Sequence, residues 1–198
     1  MNDNPKRNFE DYFEDLSSLF SNTQVSDKSG NVLELEKGFS NAVEIIDSAH
    51  KGGGKIYFIG NGGSASIASH MAVDFWKNGG IKAGCFSDAS MITCISNDFG
   101  FEFVFEKSII GSCRTNDIIF AISSSGNSTN IHKGVLASLD LGCKVVTLSG
   151  FSPENKLRSM GEINFYVPSK FYGFVELVHT SICHAILDYG FYQAGDLS

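Results

Sequence analysis

Five short runs between residues 55 and 167 are apolar almost throughout: KIYFIG (55–60), KAGCF (82–86), DIIFAIS (117–123), KVVTLS (144–149) and INFYV (163–167). None shows the apolar–polar alternation of a strand with one wet face. Segments of helix length separate them, among them Ser64–Asn78, Asn127–Leu141 and Tyr172–Ala194. Strands buried on both faces and spaced by helices are the pattern of a parallel sheet. The expected fold is α/β: a doubly wound, five-stranded parallel sheet with flanking helices. In such folds ligands bind beyond the carboxyl ends of the strands, which directs attention to the loops that follow them.

Two amphipathic helices precede this pattern. Phe9, Tyr12, Phe13, Leu16, Leu19 and Phe20 recur at three- and four-residue spacing, with Glu10, Asp11, Glu14 and Asp15 on the other face. A polar stretch, Ser21 to Asn31, follows with a turn at Asp27 to Gly30. Leu35, Phe39, Ala42, Val43, Ile46 and Ala49 mark the second helix, which ends at Lys51 and the glycines 52–54. Neither helix lies inside a βαβ unit, so each needs another surface for its apolar face. At 198 residues the chain reads as one domain, with residues 1–52 as a helical extension used for packing on the core or for oligomer contacts.

Charge and cysteine usage narrow the function. Net charge is −7, from 15 Lys and Arg against 22 Asp and Glu. That argues against nucleic acid, which needs clustered basic residues, and against a polybasic membrane anchor. The opening stretch MNDNPKRNFEDYFEDL has no apolar region after its basic pair, so it is not read as a secretory signal. No apolar run approaches the roughly 18–20 residues of a spanning helix. Five widely spaced cysteines without a CxxC suit reduced thiols, and the expected location is cytoplasmic.

Two loops carry a chemical signal. Gly60-Asn61-Gly62-Gly63-Ser64 follows the first strand and opens a helix. Glycines let the backbone turn sharply and bring N–H groups near an anion at a helix N-terminus. The loop is not a dinucleotide fingerprint, because Ala65 stands where the third glycine belongs, nor a Walker A loop, since no Gly-Lys-Ser/Thr follows. After the third strand, Ser123-Ser124-Ser125-Gly126-Asn127-Ser128 places four hydroxyls within six residues at another strand-to-helix junction. One N-cap needs one hydroxyl. Two such loops after separate parallel strands favour a phosphate site. A third loop, Ser96 to Phe101, consists of ordinary turn formers.

A further set of residues has ligand chemistry. His70 and Asp74 are four apart on the helix after the glycine loop and share a face. Glu176, His179 and His184 lie on the last helix, Glu176 and His184 a little over two turns apart and roughly on one side. His and carboxylate pairs from two helices suit a divalent metal or proton transfer; spacing alone also fits ordinary solvated residues.

Together, IGNGGSASIASH (59–70), ISNDFGFEFVF (95–105), ISSSGNS (122–128), KVVTLSG (144–150) and the His179–His184 segment resemble the sugar isomerase (SIS) family, and within it the phosphoheptose isomerases. The likeness runs from about Leu35 to Tyr192. It implies a SIS-type, flavodoxin-like fold, interconversion of a ketoheptose and an aldoheptose phosphate, a homotetramer with sites at subunit interfaces, and one zinc per subunit. The family's phosphate site falls on Ser64, Ser123, Ser124, Ser125 and Ser128; Asn61, Gly62, Gly63 and Asp98 match positions near the sugar. Its metal ligands fall on His70, Asp74, Glu176 and His184, with Asp74, Glu176 and His184 as acid–base residues. Asp74 stands where the family has Glu, Glu176 where it has Gln, and Asn78 where it has Arg. A different sugar phosphate, or a non-catalytic SIS-fold scaffold, are the alternative readings.

Overall fold

The computed structural model describes residues 8–191. The ends of the sequence reading, residues 1–7 and the last turn of the final helix beyond 191, lie outside them. The chain runs α1 (Phe9–Asn22), β1 (Gln24–Asp27), β2 (Val32–Leu33), α2 (Leu35–Lys51), β3 (Ile56–Gly60), α3 (Gly63–Lys77), β4 (Ala83–Cys85), α4 (Ala89–Asp98), α5 (Val104–Ser112), β5 (Ile118–Ser123), α6 (Thr129–Asp140), β6 (Lys144–Ser149), β7 (Ile163–Tyr166) and α7 (Tyr172–Phe191).

The five expected strands are present as β3 to β7, all parallel, in the spatial order β4-β3-β5-β6-β7. The chain leaves β3 in one direction to reach β4 and returns past it to β5. The sheet therefore reverses its winding between β3 and β5, and the loops after those two strands meet over the resulting crevice. One apolar layer joins the sheet to α2, α3 and α7 through Ile46, Phe58, Met71, Phe75, Phe120 and Val178. The opposite layer joins it to α5 and α6 through Ile59, Phe105, Ile109, Ile119, Ile131 and Val135. Both faces are covered, which accounts for the unbroken apolar runs.

The sheet is larger than expected. The end of the polar stretch Ser21 to Asn31 and the two residues after it form the hairpin β1–β2, and β1 pairs antiparallel with β7, giving seven strands. The turn stands where expected: the Asp27 carboxylate accepts from the N–H groups of Ser29 and Asn31, and Gly30 takes φ +82°. Those hydrogen bonds hold the Asp27 carboxyl below the usual carboxylate range, the Asn31 side chain contributing most. In the N-terminal extension, Tyr12 packs its ring 4.6 Å from that of Phe174 on α7 and Leu19 is buried, while Phe9 is 85% exposed and Phe13 62%.

Candidate functional site

The loops after β3 and β5 enclose a cavity of about 240 Å³ lined by Asn61, Gly62, Gly63, Ser64, Ser123, Ser124, Ser125, Ser128, Tyr172 and Glu176. Gly62, at φ +54° and ψ −123°, occupies backbone space that L side chains avoid, and this kink starts α3 without a side-chain cap. Helix α6 likewise starts at Ser128 with no side-chain cap. Two helix N-termini thus bring uncapped N–H groups and their positive dipole ends to one cavity. Hydroxyls complete the lining. Ser123 Oγ accepts from Gly126 N and lies 3.3 Å from Ser128 Oγ, and Ser125 Oγ accepts from Asn127 N. Ser124 is 4% exposed, and its hydroxyl has no partner among the described residues. A buried unpaired hydroxyl is costly unless a ligand satisfies it. Among the described residues no Lys or Arg lines this cradle, so its donors are neutral hydroxyls and backbone N–H groups.

Two residues outside the sequence reading shape the cradle. Asn130, buried in the first turn of α6, exchanges two 2.9 Å hydrogen bonds with Asn61, amide against amide, and ties the glycine loop to the serine loop. The side-chain nitrogen of Asn61 donates one of these bonds and its oxygen accepts the other. Asn155 packs against the α-carbon of Gly126, which sits at φ +63°, and its side-chain N–H donates to the carbonyl of Gly150. The SGNSTN run, with an Asn two residues past a cap position, is the only sequence signal for the first; nothing local announces the second.

A second group lies between α3 and α7. His70, Asp74 and His184 bring ligand atoms within 4.8 Å of one another. Asp74 Oδ2 is 3.4 Å from His70 Nε2 and 3.7 Å from His184 Nδ1, and the two imidazole rings are 5.5 Å apart. A four-coordinate ion with N and O ligands at about 2.0–2.2 Å separates them by roughly 3.3–3.6 Å, so small side-chain movements suffice to hold one. Three protein ligands leave a position open, the arrangement of catalytic rather than structural metal sites. The Asp74 side chain is 15% exposed and His70 57%, so the group opens to solvent on the His70 side.

The sequence profile of the SIS domain matches residues 12–150. A phosphoheptose isomerase from Helicobacter hepaticus is 34% identical over 163 residues, 79% of this chain and 83% of its own length. The chain belongs to the SIS-domain family of phosphoheptose isomerases. Solved structures agree. Phosphoheptose isomerase GmhA from Neisseria gonorrhoeae superposes with a TM-score of 0.79 at 28% identity, over 90% of this chain and 94% of that one. A phosphoheptose isomerase from Francisella tularensis gives 0.79 at 27%, over 91% and 95%.

Against the family's site pattern, the structure distributes the expected residues over two places. Asn61, Gly62, Gly63, Ser64, Ser123, Ser124, Ser125 and Ser128 line the cradle, and His70, Asp74 and His184 form the metal-capable group. Glu176 joins the cradle rather than that group. Eight residues of helix separate it from His184 by about 12 Å along the axis, a distance that sharing one side of α7 does not remove. Its carboxylate instead lies on Gly63, in space a side chain there would fill. Asp98 ends α4, exposed and outside the cradle lining, where it accepts a 2.9 Å hydrogen bond from Asn97. His179 is fully buried; its Nε2–H donates to the carbonyl of Ser149 at 3.1 Å, and burial holds its pKa down at about 4, so it is a neutral core residue. Burial likewise pushes the Cys113 and Cys183 thiols up to about 12, which leaves them inert.

Proposed function

We propose that this protein is an aldose–ketose isomerase that converts sedoheptulose 7-phosphate to D-glycero-D-manno-heptose 7-phosphate through an enediol, supplying heptose for lipopolysaccharide or capsule. The observation that carries the reading is the unpaired, buried Ser124 hydroxyl inside a cradle fed by two helix N-termini, in a chain 34% identical to a phosphoheptose isomerase. Ser64, Ser123, Ser124, Ser125 and Ser128, with the backbone of Gly62 and Gly63, hold the phosphate; Asn61 and Asp98 serve the sugar. Binding the remote phosphate fixes the reacting carbons for proton transfer.

Proton transfer is assigned to Asp74, His184 and Glu176. A carboxylate removes the proton from the carbon beside the carbonyl, and the enediol that results is reprotonated on the neighbouring carbon. Glu176 is the carboxylate in the cradle lining, and Asp74 sits beside His184, whose imidazole exchanges the hydroxyl proton. His70, Asp74 and His184 are the residues to hold zinc, which when bound would polarise the carbonyl and hydroxyl oxygens; Glu176, the fourth ligand that the resemblance implies, lies in the cradle instead. Because those three residues lie outside the cradle lining of their own chain, the reading includes a homotetramer whose subunit contacts complete the site, with residues 1–52 taking part. The exposed Phe9 and Phe13 and an apolar groove between α2 and α7, lined by Leu35, Phe39, Val43, Ile186 and Tyr189, support that assembly. Among the described residues no helix is long and apolar enough to cross a membrane, and all five cysteines are free, in keeping with a cytoplasmic enzyme.

A coupled assay with sedoheptulose 7-phosphate on zinc-loaded protein tests the proposal. Turnover is expected, with His184→Ala lowering kcat by about 10²–10⁴-fold. Absence of turnover while another ketose phosphate reacts would overturn the heptose assignment.

A further inference from the structure

The glycine loop and the serine loop need no tie to stay together. They leave neighbouring strands that are in register near their ends, Gly60 of β3 against Ile122 of β5. Adjacent strands lie about 4.8 Å apart. Yet the amides of Asn61 and Asn130 meet there in two hydrogen bonds of 2.9 Å each. Asn61 belongs to the cavity lining, and Asn130, 4% exposed, does not. What the pair decides is which way the Asn61 amide faces, rather than how far apart the loops lie.

An asparagine amide donates at its nitrogen end and accepts at its oxygen end, and turning it half over exchanges the two at little torsional cost. A reciprocal amide pair does not prevent this by itself, because turning both members over restores both bonds. A third group removes the ambiguity. The N–H of Ile131, in the first turn of α6, donates to Asn130 Oδ1 at 2.9 Å. A backbone N–H only donates, so it holds the oxygen end of Asn130 in place. Asn61 Nδ2 must then face Asn130 Oδ1, and Asn130 Nδ2 must face Asn61 Oδ1. Orientation passes from the helix backbone to Asn130 and from Asn130 to Asn61. One N–H of Asn61 is used in the pair, and its second N–H remains.

We propose that Asn130 is a positioning residue for the sugar phosphate: it fixes the Asn61 amide so that the remaining N–H is offered to an oxygen of the sugar. The inference rests on the reading above, in which the serines hold the phosphate and Asn61 serves the sugar. Inorganic phosphate fills only the serine end of the cradle, so its binding does not depend on Asn130.

Calorimetric titration of the intact protein with sedoheptulose 7-phosphate and with inorganic phosphate tests this through the ratio of the two affinities. The wild-type protein is expected to prefer the sugar phosphate. Asn130→Leu keeps the bulk and removes both hydrogen bonds; Asn130→Ala removes them and leaves room for water. Each is expected to bind the sugar phosphate about tenfold more weakly, while affinity for inorganic phosphate stays within about twofold. Asn61→Ala is expected to show about the same loss, and adding Asn130→Ala to it brings no further loss, since Asn130 acts through Asn61. Equal weakening of both ligands makes the pair a strap between the loops and overturns the proposal. So does a further loss in the double variant, or a preference for the sugar phosphate that survives in Asn130→Leu and Asn130→Ala. In those outcomes the phosphate reading stands. If neither ligand binds the wild-type protein, the phosphate reading itself falls, and this inference with it.

Discussion

Ser124 is the residue where structure and ligand chemistry meet most directly. Its hydroxyl is buried without a partner, so Ser124→Ala removes no hydrogen bond from the free protein. Melting temperature is therefore expected to hold or rise slightly, while KM for the sugar phosphate rises roughly 10- to 100-fold, the loss of one hydrogen bond to a charged group. A matching fall in stability would show that the hydroxyl serves the fold. Asp74 allows a contrasting test, because it is the one carboxylate within the three-residue group that a metal fits. Asp74→Asn is expected to lower the zinc retained after dialysis from about one per subunit to near zero, whereas His179→Gln leaves it unchanged, as His179 is buried elsewhere against Ser149. At this scale the sequence was legible wherever residues stood close in the chain. The i, i+4 pair His70 and Asp74 and the serine run needed only spacing; the position of Glu176 did not follow from spacing, because the pull of the α3 N-terminus and the missing side chain at Gly63 decide it.

Elements were legible in proportion to how much apolar surface they bury. Strands β3, β5 and β6 are buried nearly throughout and stood out as apolar runs. The hairpin β1–β2 did not, since its strands, QVSD and VL, are only four and two residues long, and they exist because β7 offers a free edge. Helix α4 fully buries no residue, with only Ile92 and Ile95 partly buried against the core, so its apolar stripe is short; a further local signal is Asp88, whose carboxylate accepts from Met91 N as an N-cap. The hairpin is fastened by Asn164 on β7, which is fully buried. Its side-chain oxygen accepts from Thr147 Oγ1 and Gly161 N, and its N–H₂ donates to the carbonyl of Gly161 and, more distantly, to those of Ser26 and Asp27 on β1. Asn164→Leu strands several buried polar groups at once. It is expected to destabilise the protein by about 3 kcal/mol or more, seen as a lower urea midpoint with little change in slope. A loss under about 1 kcal/mol would mean that water replaces those contacts readily.

For the whole molecule, a net charge of −7 sits beside a site that takes an anion, and the two are compatible because dipoles and hydroxyls act over a few ångströms while exposed charges are screened by salt within about 10 Å. Acid brings out a different property of the same fold. His179 stays neutral in the folded protein, with its pKa held down at about 4 by burial, against 6.5 for an ordinary histidine. Below pH 6.5 the unfolded chain takes up a proton that the folded chain refuses, so the number of bound protons is larger in the unfolded state and stability falls as pH falls. The loss accumulates between about pH 6.5 and 4 and reaches roughly 3 kcal/mol from this one residue. His179→Gln retains a donor for the Ser149 carbonyl and does not titrate. It is expected to flatten the stability profile across that window, measured as urea midpoints at half-unit pH steps, while leaving the profile above pH 7 parallel to that of the wild type. Equal slopes in the two proteins between pH 6.5 and 4 would show that the acid response arises in the surface carboxylates and that the buried imidazole finds its proton without unfolding.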